Sequence, residues 1–335
     1  MKKANQINIA VLGDGGWGTT LAILLAHKSY DVTLWSAFKE YAQLLDKKRI
    51  NSKFLDKVRI PGQIKITADL QAAVRNADVI VLAVPSQYLR GVLRNLKKIE
   101  YSSSTIHLSA TKGIEIQTLK RMSEVIHEEL GPIKLAVLSG PTIAHEVATG
   151  IPSAAVIASH NALTRKHLQN IFTTDRFRIY TSGDVAGVEL GGSLKNVIAI
   201  ACGIADGLGF GSNTKAALLS RGLAEIARLG NCMGANAKTF SGISGLGDLV
   251  TTCVSSYSRN RFVGEQIGKG KSYKNIHSRM QMVAEGVPTA KSAHALSLKH
   301  KVDMPITKEV YQVLYKNKSP IKAVKDLMTR RKKEE

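Results

Sequence analysis

Cysteine is scarce: three residues in 335, at positions 202, 232 and 253, with no CxxC pair among them. An odd, unpaired set excludes a disulfide framework and gives no zinc signature, so no metal site is expected. It suits a reducing compartment, and a cytoplasmic location is expected. Aromatic residues are few, at 5%, and no interleaving of basic and aromatic side chains marks a stacking platform for nucleic acid. No apolar run approaches the roughly 18 residues that a membrane span needs. After Lys2 and Lys3, the polar residues Asn5, Gln6, Asn8 and Asp14 interrupt any signal-peptide core. Acidic residues are also short, 26 against 47 Lys and Arg, which leaves a net charge of +21. Those positive charges are scattered rather than clustered, so no nucleic-acid partner is expected. They read instead as a basic surface that draws in small anionic substrates.

The chain is long enough for two cores. Its first half alternates short β-like runs, at 7–12, 32–35, 64–67, 79–84, 105–108, 135–138, 154–158 and 178–180, with segments of helical length such as 19–28, 86–97 and 119–130. Nearly continuous apolar strands alternating with helices predict a parallel sheet buried on both faces. Beyond about Asp184 the alternation stops, and apolar helical stretches are broken by polar, Gly-rich segments. The expected architecture is an α/β protein: a Rossmann-type, doubly wound parallel sheet over 1–185, then a mainly α-helical substrate domain over 186–335.

The run 7–12 leads straight into Gly13-Asp-Gly15-Gly-Trp-Gly18. This is GxGxxG between a strand and a helix. The first glycine permits the tight turn, the second lets backbone approach a pyrophosphate, and the third lets helix pack on strand. Gly13, Gly15, Gly16, Trp17 and Gly18 are therefore the candidate dinucleotide-binding residues. The second strand ends Leu34-Trp35-Ser36-Ala37 without the Asp or Glu that holds ribose hydroxyls in an NAD enzyme, and Lys39 is close by. That tilts the expected cofactor toward NADP(H), with NADH as the alternative.

Lys195 is the other singular feature. It is the sole charge in Gly191-Gly-Ser-Leu-Lys-Asn-Val-Ile-Ala-Ile-Ala-Cys-Gly-Ile-Ala205, a stretch apolar around most of its helical circumference. An ammonium there either snorkels out along its own methylenes or is a buried reagent for proton transfer. Lys112, in Ser109-Ala-Thr-Lys112-Gly113, follows a strand end, where ligands sit in doubly wound sheets. Leu138-Ser-Gly140-Pro141-Thr142-Ile-Ala144-His145-Glu146 reads as a strand turning into a helix with Pro141 at its first position. His145 reads as structural, since HExxH would need a histidine at Thr149. Asp248 offers a charge partner for Lys195. Ser258, Arg259 and Asn260 combine a planar fork with neutral donors, which suits a phosphate.

Together these stretches resemble the bacterial NAD(P)-dependent glycerol-3-phosphate dehydrogenase family over almost the whole chain. The likeness rests on GDGGWGTTLA at 13–22, SATKGIE at 109–115, LSGPTIAHEVATG at 138–150, ELGGSLKNVIAIACGIADGLGFGSNTKAALLSRGLAEI at 189–226, GLGDLVTTC at 245–253, SRN at 258–260 and AEGVPTA at 284–290. It implies reversible reduction of dihydroxyacetone phosphate to sn-glycerol 3-phosphate, for glycerophospholipid synthesis, by a homodimer. It also implies that Lys195 is the catalytic lysine and that Lys112, Gly140, Thr142, Asp248, Ser258, Arg259 and Asn260 surround the substrate. Trp17, Lys112, Ala144, Arg259, Val283 and Glu285 would touch the cofactor. Many members carry Arg or His where this chain has Ala37, so their usual 2′-phosphate contact is not carried over. The rival readings are a β-hydroxyacid or ketopantoate dehydrogenase, and a basic binder of nucleic acid or anionic membranes.

Overall fold

A computed structural model describes residues 7–278, 280, 283–332 and 334. Its contacts form two compact units: the chain up to Lys112 with Lys120–Glu189, and Gly113–Leu119 with Leu190 onward.

The first unit opens β1 (Asn8–Leu12), α1 (Gly16–His27), β2 (Asp31–Trp35) and α2 (Lys39–Lys48). A small hairpin of β3 (Ile50–Asn51) and β4 (Leu55–Arg59) follows, then β5 (Lys65–Thr67), α3 (Leu70–Val74), β6 (Val79–Leu82), α4 (Leu89–Leu96) and β7 (Ile106–Ser109). It continues through α5 (Met122–Leu130), β8 (Lys134–Ser139), α6 (Ala144–Ala148), β9 (Ser153–Ala158), α7 (Ala162–Phe172) and β10 (Phe177–Ser182). Eight strands form one sheet in the order β10-β9-β8-β7-β6-β1-β2-β5. The chain winds outward from β1 in both directions, which is the doubly wound Rossmann-type topology. Side-chain alternation places Ile9 and Val11 in one core with α1 and α7. Ala10 and Leu12 join the other with α3, α4 and α5. Two-faced burial is why these strands read as continuous apolar runs.

Within the first unit the structure departs from the sequence expectations in three places. β8 and β9 pair antiparallel, so the sheet is parallel only on either side of that junction. The β3–β4 hairpin was not anticipated, because Leu55-Asp-Lys-Val-Arg59 exposes three of its five residues and lacks an apolar run. Pro141 does not open a helix: the backbone runs on through Ile143, and the helix is the five-residue α6.

The second unit is helical throughout its described elements: α8 (Val185–Gly207), which begins in the first unit, α9 (Ser212–Cys232), α10 (Ala237–Phe240), α11 (Asp248–Val254), α12 (Arg259–Gly268), α13 (Tyr273–His277), α14 (Gly286–Lys299), α15 (Pro305–Tyr315) and α16 (Pro320–Met328). By length and composition α8 could cross a bilayer, contrary to the sequence expectation, but its apolar window is entirely buried as the core of the protein. Where α8 meets α12 the backbones touch. A methyl on Gly203 would lie 2.0 Å from the Arg261 carbonyl oxygen, and one on Gly264 would lie 2.1 Å from that of Ile200. Gly207 and Gly268, one turn further on, meet the same limit at 2.3 and 2.4 Å. Small residues four apart on both partners allow this approach.

Helix α15 starts with Pro305 and has no cap of its own, so its first amides need an acceptor from elsewhere. Glu225 on α9 supplies it, taking bonds from Ile306 N (2.6 Å), Thr307 N (3.1 Å) and Thr307 Oγ1 (3.0 Å). Burial pushes its carboxyl up to about 7, although these bonds and Arg228 favour the charged form. Between the ordinary value of 4.5 and about 7, the folded chain keeps a proton that the unfolded chain releases. Stability contributed by this group is therefore full below that window and is lost as pH rises through it. Urea denaturation should show a midpoint that falls between about pH 4 and pH 8, with a smaller fall in Glu225→Gln. An identical pH profile in the two proteins would refute the assignment.

Candidate active site

In the first unit, Gly13 adopts φ +121°, a conformation open to glycine. A methyl there would lie 2.6 Å from the Ala83 carbonyl oxygen, while one on Gly18 would lie 1.9 Å from that of Gly13. Gly16 is closed in the same way by Phe54 at 2.6 Å. Gly15 differs, because nothing lies within 4 Å of where its Cβ would be. The loop is therefore packed by protein at three glycines and open at the fourth. Gly15 also precedes α1 without a side chain to cap its amides. An open backbone at an uncapped helix start fits a pyrophosphate, so these residues suit a dinucleotide. Trp17 packs edge-on against Phe177, with its indole nitrogen buried and unpartnered. Ala144 lies against the same loop: its Cβ is 3.6 Å from the methyl position on Gly16, and its carbonyl accepts from Thr20 Oγ1 at 3.0 Å.

The structure brings Lys112, Gly140 and Thr142 together. Lys112 Nζ donates to Gly140 O at 2.9 Å and to Thr142 Oγ1 at 3.3 Å, and Thr142 Oγ1 donates to the same carbonyl at 3.0 Å. Gly140 holds φ +144°, with Ala155 Cα only 2.9 Å from its methyl position. Beside the end of β2 lies an acid that the sequence reading did not single out as a site residue. Asp14 accepts a hydrogen bond from Ser36 Oγ just beyond β2. Burial raises the carboxyl of Asp14 above its ordinary value, while Ser36 and Lys53 pull it down.

In the second unit, Lys195 is buried on α8 with 6% of its surface exposed, so it does not snorkel. Its Nζ donates to Asp248 Oδ1 and, at 2.7 Å, to Thr252 Oγ1. Thr252 in turn donates to Asp248 O at 2.7 Å. A single π-type turn over Ile243–Gly247 leads into α11 and sets Asp248 facing α8. The turn fits because Gly191 lets α8 approach: a methyl there would meet Ser244 O at 2.6 Å. Thr252 was missed in the sequence, although its position four residues after Asp248 places both on one helix face.

Asn260 is largely committed. Its Oδ1 accepts from Gly286 N at 2.9 Å, and its Nδ2 donates to Asn196 Oδ1 at 2.9 Å. One amide hydrogen is left for another acceptor. Ser258 caps α12 by accepting from Arg261 N at 3.2 Å, which leaves its own O–H to donate elsewhere. Arg259 opens α12 as an exposed residue, and the Glu285 carboxylate favours the charged form of its guanidinium. Val283 is exposed two residues earlier. Among the described residues, no group of three or more His, Cys, Asp and Glu could hold a metal ion.

A doubly wound sheet with a dinucleotide-fitting glycine loop, joined to a helical unit carrying a buried, acid-paired lysine, defines a dinucleotide-dependent class of protein. The chain belongs to the NAD-dependent glycerol-3-phosphate dehydrogenase family, whose N-terminal profile matches residues 8–164 and C-terminal profile residues 184–325. It is 50% identical over 329 residues to a glycerol-3-phosphate dehydrogenase [NAD(P)+] from Thermoanaerobacter sp. (strain X514), covering 98% of this chain and 99% of that one. A crystal structure of glycerol-3-phosphate dehydrogenase from Coxiella burnetii superposes with TM-score 0.94 at 38% identity, covering 97% and 100% of the two chains. A ketopantoate reductase from Ralstonia eutropha JMP134 reaches only TM-score 0.60 at 14% identity over 95% of this chain and 100% of that one, a likeness of fold alone.

Removing one partner of a buried ion pair strands the other charge, at a cost of about 3–5 kcal/mol. Asp248→Ala should lose stability on that scale in chemical denaturation, and Asp248→Asn should lose less. A loss below about 1 kcal/mol for the alanine variant would place the pair in water rather than in the core.

Proposed function

We propose that this chain catalyses the reversible reduction of dihydroxyacetone phosphate to sn-glycerol 3-phosphate, which feeds glycerophospholipid synthesis. The observation that carries the reading is the buried ammonium of Lys195, held by Asp248 and Thr252. The family relationship supplies the substrate. A reduced nicotinamide dinucleotide, NADH or NADPH, supplies the hydride when bound. Gly13, Gly15, Gly16, Trp17 and Gly18 would hold it on the first unit, with Lys112, Ala144, Arg259, Val283 and Glu285 as further contacts.

Lys195 carries the proton chemistry. As the substrate carbonyl oxygen gains negative charge, the ammonium stabilises it and then donates a proton; in the oxidative direction the amine accepts that proton. Asp248 and Thr252 fix Nζ, so little reorganisation is needed when the charge develops. The remaining amide hydrogen of Asn260, the O–H of Ser258 and the fork of Arg259 supply donors for a phosphate dianion. Lys112, with Gly140 and Thr142, would contribute a second cationic contact to substrate. Holding the phosphate fixes the carbonyl relative to Lys195, and that orientation lowers the barrier.

We assign residues 1–185 to cofactor binding, 186–335 to substrate binding, and the activity to the cytoplasm, in keeping with three free cysteines. A homodimer is proposed on the exposed apolar residues Leu246, Val250 and Val254, which recur every four positions. Sedimentation equilibrium should give twice the chain mass, and a monomer at micromolar concentration would overturn it.

Steady-state assays should show dihydroxyacetone phosphate-dependent oxidation of NADH or NADPH and none with ketopantoate. Lys195→Ala should retain cofactor binding while losing turnover by about three orders of magnitude or more. Retention of more than about a tenth of the wild-type rate would remove Lys195 from proton transfer.

A further inference from the structure

Dinucleotide enzymes that use NAD grip the adenosine ribose with an acid at the end of the second strand. Here β2 ends at Trp35, and the next residue is Ser36, fully buried. The Ser36 hydroxyl donates to Asp14 Oδ2 and accepts from Phe38 N at 3.2 Å. Asp14 is itself anchored: its backbone carbonyl accepts from Asn51 Nδ2 at 2.7 Å and from Thr19 Oγ1 at 3.2 Å. Tyr41 donates to Asn51 Oδ1 at 2.7 Å and fixes the anchor. A carboxylate therefore sits against the residue at the carboxyl end of β2, delivered from the glycine loop 22 positions earlier in the chain.

We infer that Asp14, docked on Ser36, replaces the missing strand-end acid and sets the cofactor preference toward the dinucleotide without a 2′-phosphate. The inference rests on the dinucleotide reading above. A free 2′-phosphate carries close to two negative charges near neutral pH, and a fixed, half-buried carboxylate beside it repels them with little screening by solvent. The same carboxylate accepts hydrogen bonds from ribose hydroxyls, which NAD(H) presents. Two nearby cations, Lys39 and Lys53, oppose this repulsion. A cleft of about 550 Å³ beside the ends of β2 and β5 is lined by Lys39, Asp46 and Asp69 among others. Asp46 is paired with Arg49, and Asp69 caps α3. Lys53, in the β3–β4 turn, is near enough to act on Asp14, and its ammonium lies over the rings of Tyr41 and Phe54. Removing the Asp14 charge while both lysines stay isolates the share of the carboxylate.

The test is a binding measurement that needs no turnover. Isothermal titration of the full chain with 5′-AMP, 2′,5′-ADP, NADH and NADPH should give tighter binding of NADH than of NADPH. Asp14→Asn should shift the 2′,5′-ADP to 5′-AMP affinity ratio toward 2′,5′-ADP by about tenfold. Asp14→Glu keeps the charge and should keep the discrimination, whereas Ser36→Ala frees the carboxylate and should shift the ratio by less than Asp14→Asn does. An unchanged ratio in Asp14→Asn, or an equal shift in Ser36→Ala, would make the contact structural and overturn the inference. If Asp14→Asn does not fold, the wild-type ratio decides alone: tighter binding of NADPH than NADH overturns it. Wild-type protein that binds no dinucleotide at all would bring down the underlying reading and this inference with it.

Discussion

The second unit is organised around the need to keep one ammonium charged inside a hydrophobic helix. Lys195 on α8 leaves water almost completely, so its charge requires an acid and a neutral acceptor from another helix. Asp248 and Thr252 on α11 supply both, one turn apart. Their placement depends on the π-type turn before α11, on the absence of a side chain at Gly191, and on Asn196 and Asn260 tying α8 to α12 and to Gly286. Each of these devices would be unremarked alone. Together they hold one nitrogen where it can exchange a proton.

Much of this was legible in the chain because a local rule carried it. All eight strands of the main sheet were read from short β-like runs, and burial on both faces made the inner ones continuously apolar, while the edge strands β5 and β10 keep exposed polar positions. The glycine loop was visible because three of its positions admit nothing larger. The lysine stood out because its neighbours were uniformly apolar. What the sequence hid was set by pairing across distance. No local pattern distinguishes an antiparallel β8–β9 junction from a parallel one, and none links Asp14 to Ser36 or Glu225 to the start of α15. The β3–β4 hairpin escaped for another reason. It is two short strands with exposed charges, held by Leu55 and Val58 in the core and by Asn51 against the glycine loop.

Pro141 shows how a sound local rule can be overridden. Proline at a first helical position is favoured, yet the segment from Gly140 to Ile143 serves a different demand. Its backbone presents the Gly140 carbonyl to Lys112 and Thr142, and the helix waits until Ala144. The geometry of the lysine contact determines where that helix begins.

The glycine contacts between α8 and α12 reach beyond packing. Lys195 lies on one of these helices and Arg259 begins the other, so the span between the two cations is gauged by backbone against backbone. Side chains flex and can be exchanged for slightly larger or smaller ones, but a peptide unit offers no such adjustment. Re-engineering this chain for a substrate of different length would have to begin at Gly203, Gly207, Gly264 and Gly268.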